Sequence, residues 1–185
     1  MAFGLDKTNF LLDSLDFYKC VVDPTTDAIG SSVLIGHTEP EKSITITKQF
    51  AEFFRGVPET LVRRDLTRLE AGMDLMLKSW NIDTLDLVMN GEKELDKDGG
   101  GYDYEYLGSE PPVQNTSGFY LKGKTVSGRE IYFVIRQGRI TTEDTTIATG
   151  STGEYSSLPV NIKAEIDEDV TDTGRNLCFW KIQNT

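Results

Sequence analysis

The sequence predicts a mainly β protein with a single short helix. Three observations carry that prediction. Apolar residues recur at every second position along much of the chain, as on a half-buried strand. One stretch, NIDTLDLVMNGE, instead steps at helical spacing. One segment rich in Gly, acids and Pro interrupts the pattern, as a loop does.

The elements follow in chain order. FYKCVVD and SSVLIGH read as two strands near the start. SITITKQF alternates Ile44 and Ile46 with Thr45 and Thr47, a third strand. The next stretch reads two ways. Val62, Leu66, Leu69, Met73, Met76 and Trp80 form a helical stripe, yet Leu69, Ala71, Met73, Leu75 and Leu77 alternate with their neighbours as on a strand. In NIDTLDLVMNGE the helix is built on Ile82, Leu85, Val88 and Met89. Asn81 or Asp83 can cap its start and Gly91 can stop its end. Residues 93–117 read as a loop insertion.

FYLKGK is the next strand, turning through Val126, Ser127 and Gly128 into EIYFVIRQ. That second run has the texture of a strand buried on both faces. Gln137-Gly138 then suggests a hairpin. PVNIKAEID points Val160, Ile162, Ala164 and Ile166 one way and its polar residues the other. NLCFWKI closes the chain as a strand.

The totals bound the possibilities. The 185 residues fit one domain, residues 1–185, with no internal repeat, and are enough for a real core. Hydrophobic residues make up 38% and no run reaches membrane-spanning length, so no membrane partner is expected. The first residues lack the basic and apolar regions of a signal peptide, which predicts a reducing cytoplasm as the place of synthesis. Cys20 and Cys178 sit in apolar runs and read as buried thiols. The net charge is −11. Such a chain repels phosphate backbones, which disfavours ordinary nucleic-acid binding. The charge is uneven. Glu143, Asp144, Glu154, Glu165, Asp167, Glu168, Asp169 and Asp172 face a single base, Lys163, whereas Arg55, Arg63, Arg64 and Arg68 outnumber Glu59 and Asp65.

Several patterns invite a chemical reading. GFYLKGKT, Gly118 to Thr125, matches the phosphate-loop pattern letter for letter, with Lys124 and Thr125 at its functional positions. Its context opposes a nucleotide site. A loop precedes it, bulky residues fill it, and a strand follows where a helix N-terminus is needed. It reads as a strand. The single histidine, His37, cannot build a multi-histidine metal site, and no local motif pairs it with a cysteine. Asp96, Asp98 and Asp103 hint at a calcium loop, but the fifth and twelfth positions, Gly100 and Leu107, offer no ligand. No catalytic residue, cofactor or metal is expected.

Two aromatic groups remain. Phe50, Phe53 and Phe54 crowd a turn too densely for solvent, and so belong to a core or a subunit contact. Tyr102, Tyr104 and Tyr106 would line one face of a strand, suited to a subunit interface or, alternatively, with Trp80, to a glycan on a monomeric β-sandwich.

VLIGHTEP, then SITITKQFAEFFRGVPETLVRRDLTRLEAGMDLMLKSWNIDTLDLVMNG, and finally LPVNIKAEIDED with NLCFWKI, resemble in order and texture the tail tube proteins (major tail proteins) of tailed bacteriophages and related injection systems. The resemblance implies a β-barrel or sandwich with one flanking helix. It implies that residues 43–80 form a long β-hairpin arm turning near Gly56-Val57-Pro58. It also implies virion subunits assembled into rings, usually of six, stacked into a tube. The partners implied are further copies of the chain and other tail proteins, such as tape measure, terminator or sheath. DNA would cross the lumen without specific binding.

Overall fold

The computed structural model describes residues 10–38, 43–56, 58–79, 82–89, 92–97, 99–106, 116–125, 128–141 and 157–183. In chain order these hold β1 (Phe10–Val22), β2 (Ile29–Thr38), β3 (Ser43–Arg55), β4 (Thr60–Ser79), α1 (Ile82–Met89), β5 (Glu92–Glu94), β6 (Tyr104–Tyr106), β7 (Ser117–Thr125), β8 (Glu130–Ile140), β9 (Leu158–Glu165) and β10 (Cys178–Ile182). The mainly β fold with one short helix is as the sequence predicts.

The alternation of apolar residues lets each strand bury one face, and the pairings show against what. β1 pairs with β2 and β7, β7 with β8, β8 with β9, β9 with β4, and β4 with β2, all antiparallel. This circuit closes on itself, so the six strands form a barrel without a free edge at its waist. Inside lie Phe17, Met73, Leu75, Leu77, Phe119, Leu121, Phe133, Ile135, Leu158, Val160 and Ile162. A smaller cluster on another face joins Cys20, Val22, Tyr120 and Val134, with Tyr18 stacked on Tyr120 at 4.6 Å.

The helix lies against β2. Thr84 is buried and donates its hydroxyl to the Ile35 carbonyl at 2.8 Å, while Val88 joins the core. The expected caps, Asn81 and Gly91, lie outside the described residues, as do Val57, Trp80 and Asp98.

β9 and β10 run in the same direction along one edge of β8. Between them residues 166–177 make an excursion closed by Asp167 N–H on the Asn176 carbonyl at 2.8 Å. A buried arginine anchors it. Arg136 donates through Nε to the Arg175 carbonyl at 2.5 Å and is ion-paired through Nη2 with Asp27 in the β1–β2 turn. Burial lowers the Arg136 pKa from its usual value, a shift that Asp167 opposes.

Four sequence expectations need correction. β8 continues through Gln137 and Gly138 to Ile140, because both residues pair with β9 and Gly138 also with β7, so no turn falls there. Ile166 is exposed because β9 ends at Glu165, before the alternation does. The segment 93–117 is not all loop: β5 and β6 pair as a small ribbon, while residues 107–115 lie outside the described set. Tyr102 sits outside β6, so only Tyr104 and Tyr106 share a strand.

Candidate self-association interface

β3 and β4 form a hairpin that outgrows the barrel. β3 pairs with β4 from Ser43↔Asp74 to Arg55↔Thr60. On its other edge β4 pairs with β9 only from Gly72 to Leu77. Thr60 to Ala71 therefore has a β3 partner but no strand on its outer edge, and β3 ends the sheet on its own side. The result is an arm with two open edges, folded back at Gly56, whose φ of +94° is one that glycine adopts readily. The strand reading of Leu69 to Leu77 prevails over the helical stripe because Ala71, Met73, Leu75 and Leu77 all point into the barrel.

The arm has two chemically distinct faces. Register and alternation put Ile44, Ile46, Lys48, Phe50, Glu52 and Phe54 of β3 on one face, opposite Met73, Ala71, Leu69, Leu66, Arg64 and Leu61. This face begins at the barrel core with Met73 and Ile44 and runs outward, interrupted by Lys48 and by the Glu52–Arg64 ion pair. Along it Ile46, Phe50, Phe54, Leu61, Leu66 and Leu69 are all exposed. The opposite face carries Ser43, Thr45, Thr47 and Gln49 against Asp74, Gly72, Glu70 and Arg68.

Two irregularities shape the arm. The register shifts between Gln49 and Phe50 and again between Phe53 and Phe54, leaving Thr67 and Val62 of β4 as the extra residues. Thr67 uses its hydroxyl to satisfy the Gln49 carbonyl at 3.1 Å. Ion pairs brace the surface: Arg63 with Asp65, Arg64 with Glu52, and Arg68 with Glu70. All are exposed, so each adds about 0.2–1 kcal/mol. Arg64 also lies over the Phe50 ring at 4.3 Å.

The phenylalanines do not act as one group. Phe50, Phe53 and Phe54 are 40%, 52% and 54% exposed, so none is core. Phe50 and Phe54 share the apolar face, whereas Phe53 points the other way with Ala51. The sequence reading assigned only these three to a core or contact, whereas Ile46, Val62, Leu66 and Leu69, named there only as strand or stripe positions, and Leu61 are exposed beside them. Their signal was present only once a hairpin register was assumed.

The other candidates fare differently. Gly118 to Thr125 is strand throughout, within β7, and makes no phosphate loop. Lys122 pairs with Glu130 at 2.7 Å, which lifts the lysine pKa and lowers that of the carboxylate. Tyr104 and Tyr106 stack at 6.0 Å, and Lys97 covers Tyr106 at 4.7 Å, so the pair is not an open platform. Asp96 and Asp103 are occupied in capping backbone N–H groups of their own turn. Among the described residues no group of three acids, cysteines or histidines is arranged to hold a metal. His37 bonds Asp16 at 2.7 Å on the surface. Cys20 and Cys178 are free thiols, and burial pushes Cys20 up to about 12, which leaves no thiolate for nucleophilic work at neutral pH. No helix among the described residues is long and apolar enough to cross a membrane.

No protein-family model matches the chain, and no curated protein matches it.

Proposed function

We propose that this protein is a non-enzymatic structural subunit, a phage-type tail tube protein that assembles into rings, usually of six, stacked into a conduit for DNA. One observation supports the reading above all others. The arm carries two open strand edges and an apolar face continuous with the barrel core, which a single chain leaves exposed. Exposed edges and a face with six exposed large apolar side chains are costly on a monomer and are removed when neighbouring copies pair edge to edge. The polar face, with Thr45, Thr47, Gln49, Arg68, Glu70 and Asp74, would then line the bore. Its acids Asp65, Glu70 and Asp74 balance its bases Arg55, Arg63 and Arg68, so on a chain of net charge −11 the lining would offer DNA no net positive charge to adhere to. Further copies, together with other tail proteins such as tape measure, terminator or sheath, are the partners of this reading, and the virion is its location.

Negative-stain electron microscopy of the purified protein tests it. Rings or tubes, alone or with tail partners, are the expected result. Particles that stay monomeric at every concentration and with every tail partner would overturn the reading.

A further inference from the structure

The outer edge of β4 is open from Thr60 to Ala71 and is taken over by β9 at Gly72. On the polar face of this open stretch Arg63, Asp65, Arg68 and Glu70 follow one another with alternating sign. Arg63 is ion-paired with Asp65, and Arg68 with Glu70, each pair lying along the one strand. The charges cancel, so the edge has no excess charge with which to attract a partner of opposite sign. What it has is an order. Read backwards, the row plus, minus, plus, minus carries the opposite sign at every place, so a second β4 laid antiparallel beside the first complements it.

The backbone supports the same register. With Arg63 opposite Glu70 of the second copy, Asp65 stands opposite its Arg68, Arg64 opposite its Leu69, and Leu66 opposite its Thr67. In two regular strands that register would set polar positions against apolar ones, because residues an odd number of places apart point to opposite faces. Thr67 removes the mismatch. It is the extra residue that shifts the alternation of β4 by one place, and it lies at the two-fold axis in both strands. The four charges of each strand therefore meet on one face, with Arg64, Leu66 and Leu69 on the other, and no like charges face each other. The register ends with Val62 opposite Ala71, where β9 takes over, so it spends almost the whole open edge. The polar face of β3, with Ser43, Thr45, Thr47 and Gln49, has no such pattern.

We propose that two copies of this chain pair through their β4 outer edges in a closed, two-fold dimer, with Arg63 opposite Glu70 and Asp65 opposite Arg68 across the axis. The inference rests on the open edge of the arm and not on the tube reading. Backbone hydrogen bonds supply the pairing, and the alternating charges fix its register. The contact uses the same surface on both copies, so it closes on itself and cannot grow. It occupies an edge that ring growth would use, which makes the dimer a store of subunits held out of assembly.

Disulfide trapping tests the register. Oxidised Arg64→Cys/Leu69→Cys protein should run as a covalent dimer on a non-reducing gel, with no ladder above it, and each single variant should stay near the parent's background. Rings or tubes without that dimer overturn the pairing and leave self-assembly standing. The dimer without rings, alone or with tail partners, supports the pairing and counts against the tube. A chain that is monomeric in analytical ultracentrifugation at every concentration overturns both. Charge inversion provides a test that keeps every ion pair within the strand. The variant Arg63→Glu/Asp65→Arg/Arg68→Glu/Glu70→Arg should dimerise with itself as the parent does. Mixed with differently labelled parent it would set like charges opposite one another at all four places, so mixed dimers should fall about tenfold below the statistical share. Statistical mixing, with both homodimers formed, overturns the proposed register.

Discussion

Gly72 of β4 lies directly over the backbone of Ile162 in β9: a Cβ at this glycine would stand 2.8 Å from the Ile162 carbonyl oxygen. This is the last pairing before the arm leaves the barrel. The two backbones approach closely there because one side chain is missing, and nothing flexible can move aside.

Gly72→Ala should therefore push β9 away from β4 and open the barrel at the root of the arm. The expected loss is about 1–3 kcal/mol, the range for forcing extra atoms into a packed site. Urea denaturation of the monomer reads it. Parent-like stability would mean that β9 relaxes freely and that the close approach at Gly72 constrains nothing.

Arg136 is buried in the middle of β8, with its guanidinium over the Phe179 ring at 5.0 Å. Arg136→Met keeps the bulk but removes the partner of Asp27 Oδ1, leaving Arg175 on Oδ2, and deprives the Arg175 carbonyl of its side-chain donor. A loss of about 1.5–3 kcal/mol is expected, as for hydrogen bonds to a charged group. The loosening should concentrate in residues 23–28 and 166–177, visible as faster amide exchange at Asp167 and Val170. Uniform exchange across the barrel would contradict an anchoring role.

Much of the barrel was legible because its strands obey a local rule. Val160 and Ile162 alternate with Asn161 and Lys163, and the structure buries the first pair. What was hidden depends on partners distant in sequence. Arg136 within EIYFVIRQ gives no sign of burial, since its partners, Asp27 and Arg175, are far away in the chain. The arm's apolar face was obscured by its own bulges. Thr67 and Val62 insert steps of three into a period of two, so Leu61, Arg64, Leu66 and Leu69 share a face with spacings that also suit a helix. The Tyr102 row failed for the opposite reason: alternation was extended past the end of a three-residue strand.

Cys20 predicts a pH dependence. Its thiol is pushed from 9.0 up to about 12 by burial. The folded chain keeps this proton where the unfolded chain releases it. The stability this confers is complete below about pH 9 and is lost as pH rises from there towards 12. At pH 10.5 the loss is about 2 kcal/mol, at ~1.4 kcal/mol per unit. Urea midpoints in reducing buffer at pH 7 and 10.5 measure it, and the parent should fall further than Cys20→Ala. A native Cys20 that reacts with a thiol reagent at pH 8 as fast as a free thiol would refute the premise.

Phe50 and Phe54 separate folding from assembly. Both lie on the exposed stretch of the arm, beyond the last β4–β9 pair, and neither belongs to the barrel core. Phe50→Ser/Phe54→Ser should leave monomer stability within about 1 kcal/mol of the parent, as surface substitutions generally do. The same change removes two large side chains from the face that a neighbouring copy would cover, so rings or tubes should vanish from electron micrographs at concentrations where the parent forms them. Phe53→Ser, on the opposite face, should reduce assembly less. If the double variant instead lowered the monomer's urea midpoint as strongly as Gly72→Ala, the two rings would be supporting the single chain. The apolar face could then no longer be assigned to contact between copies.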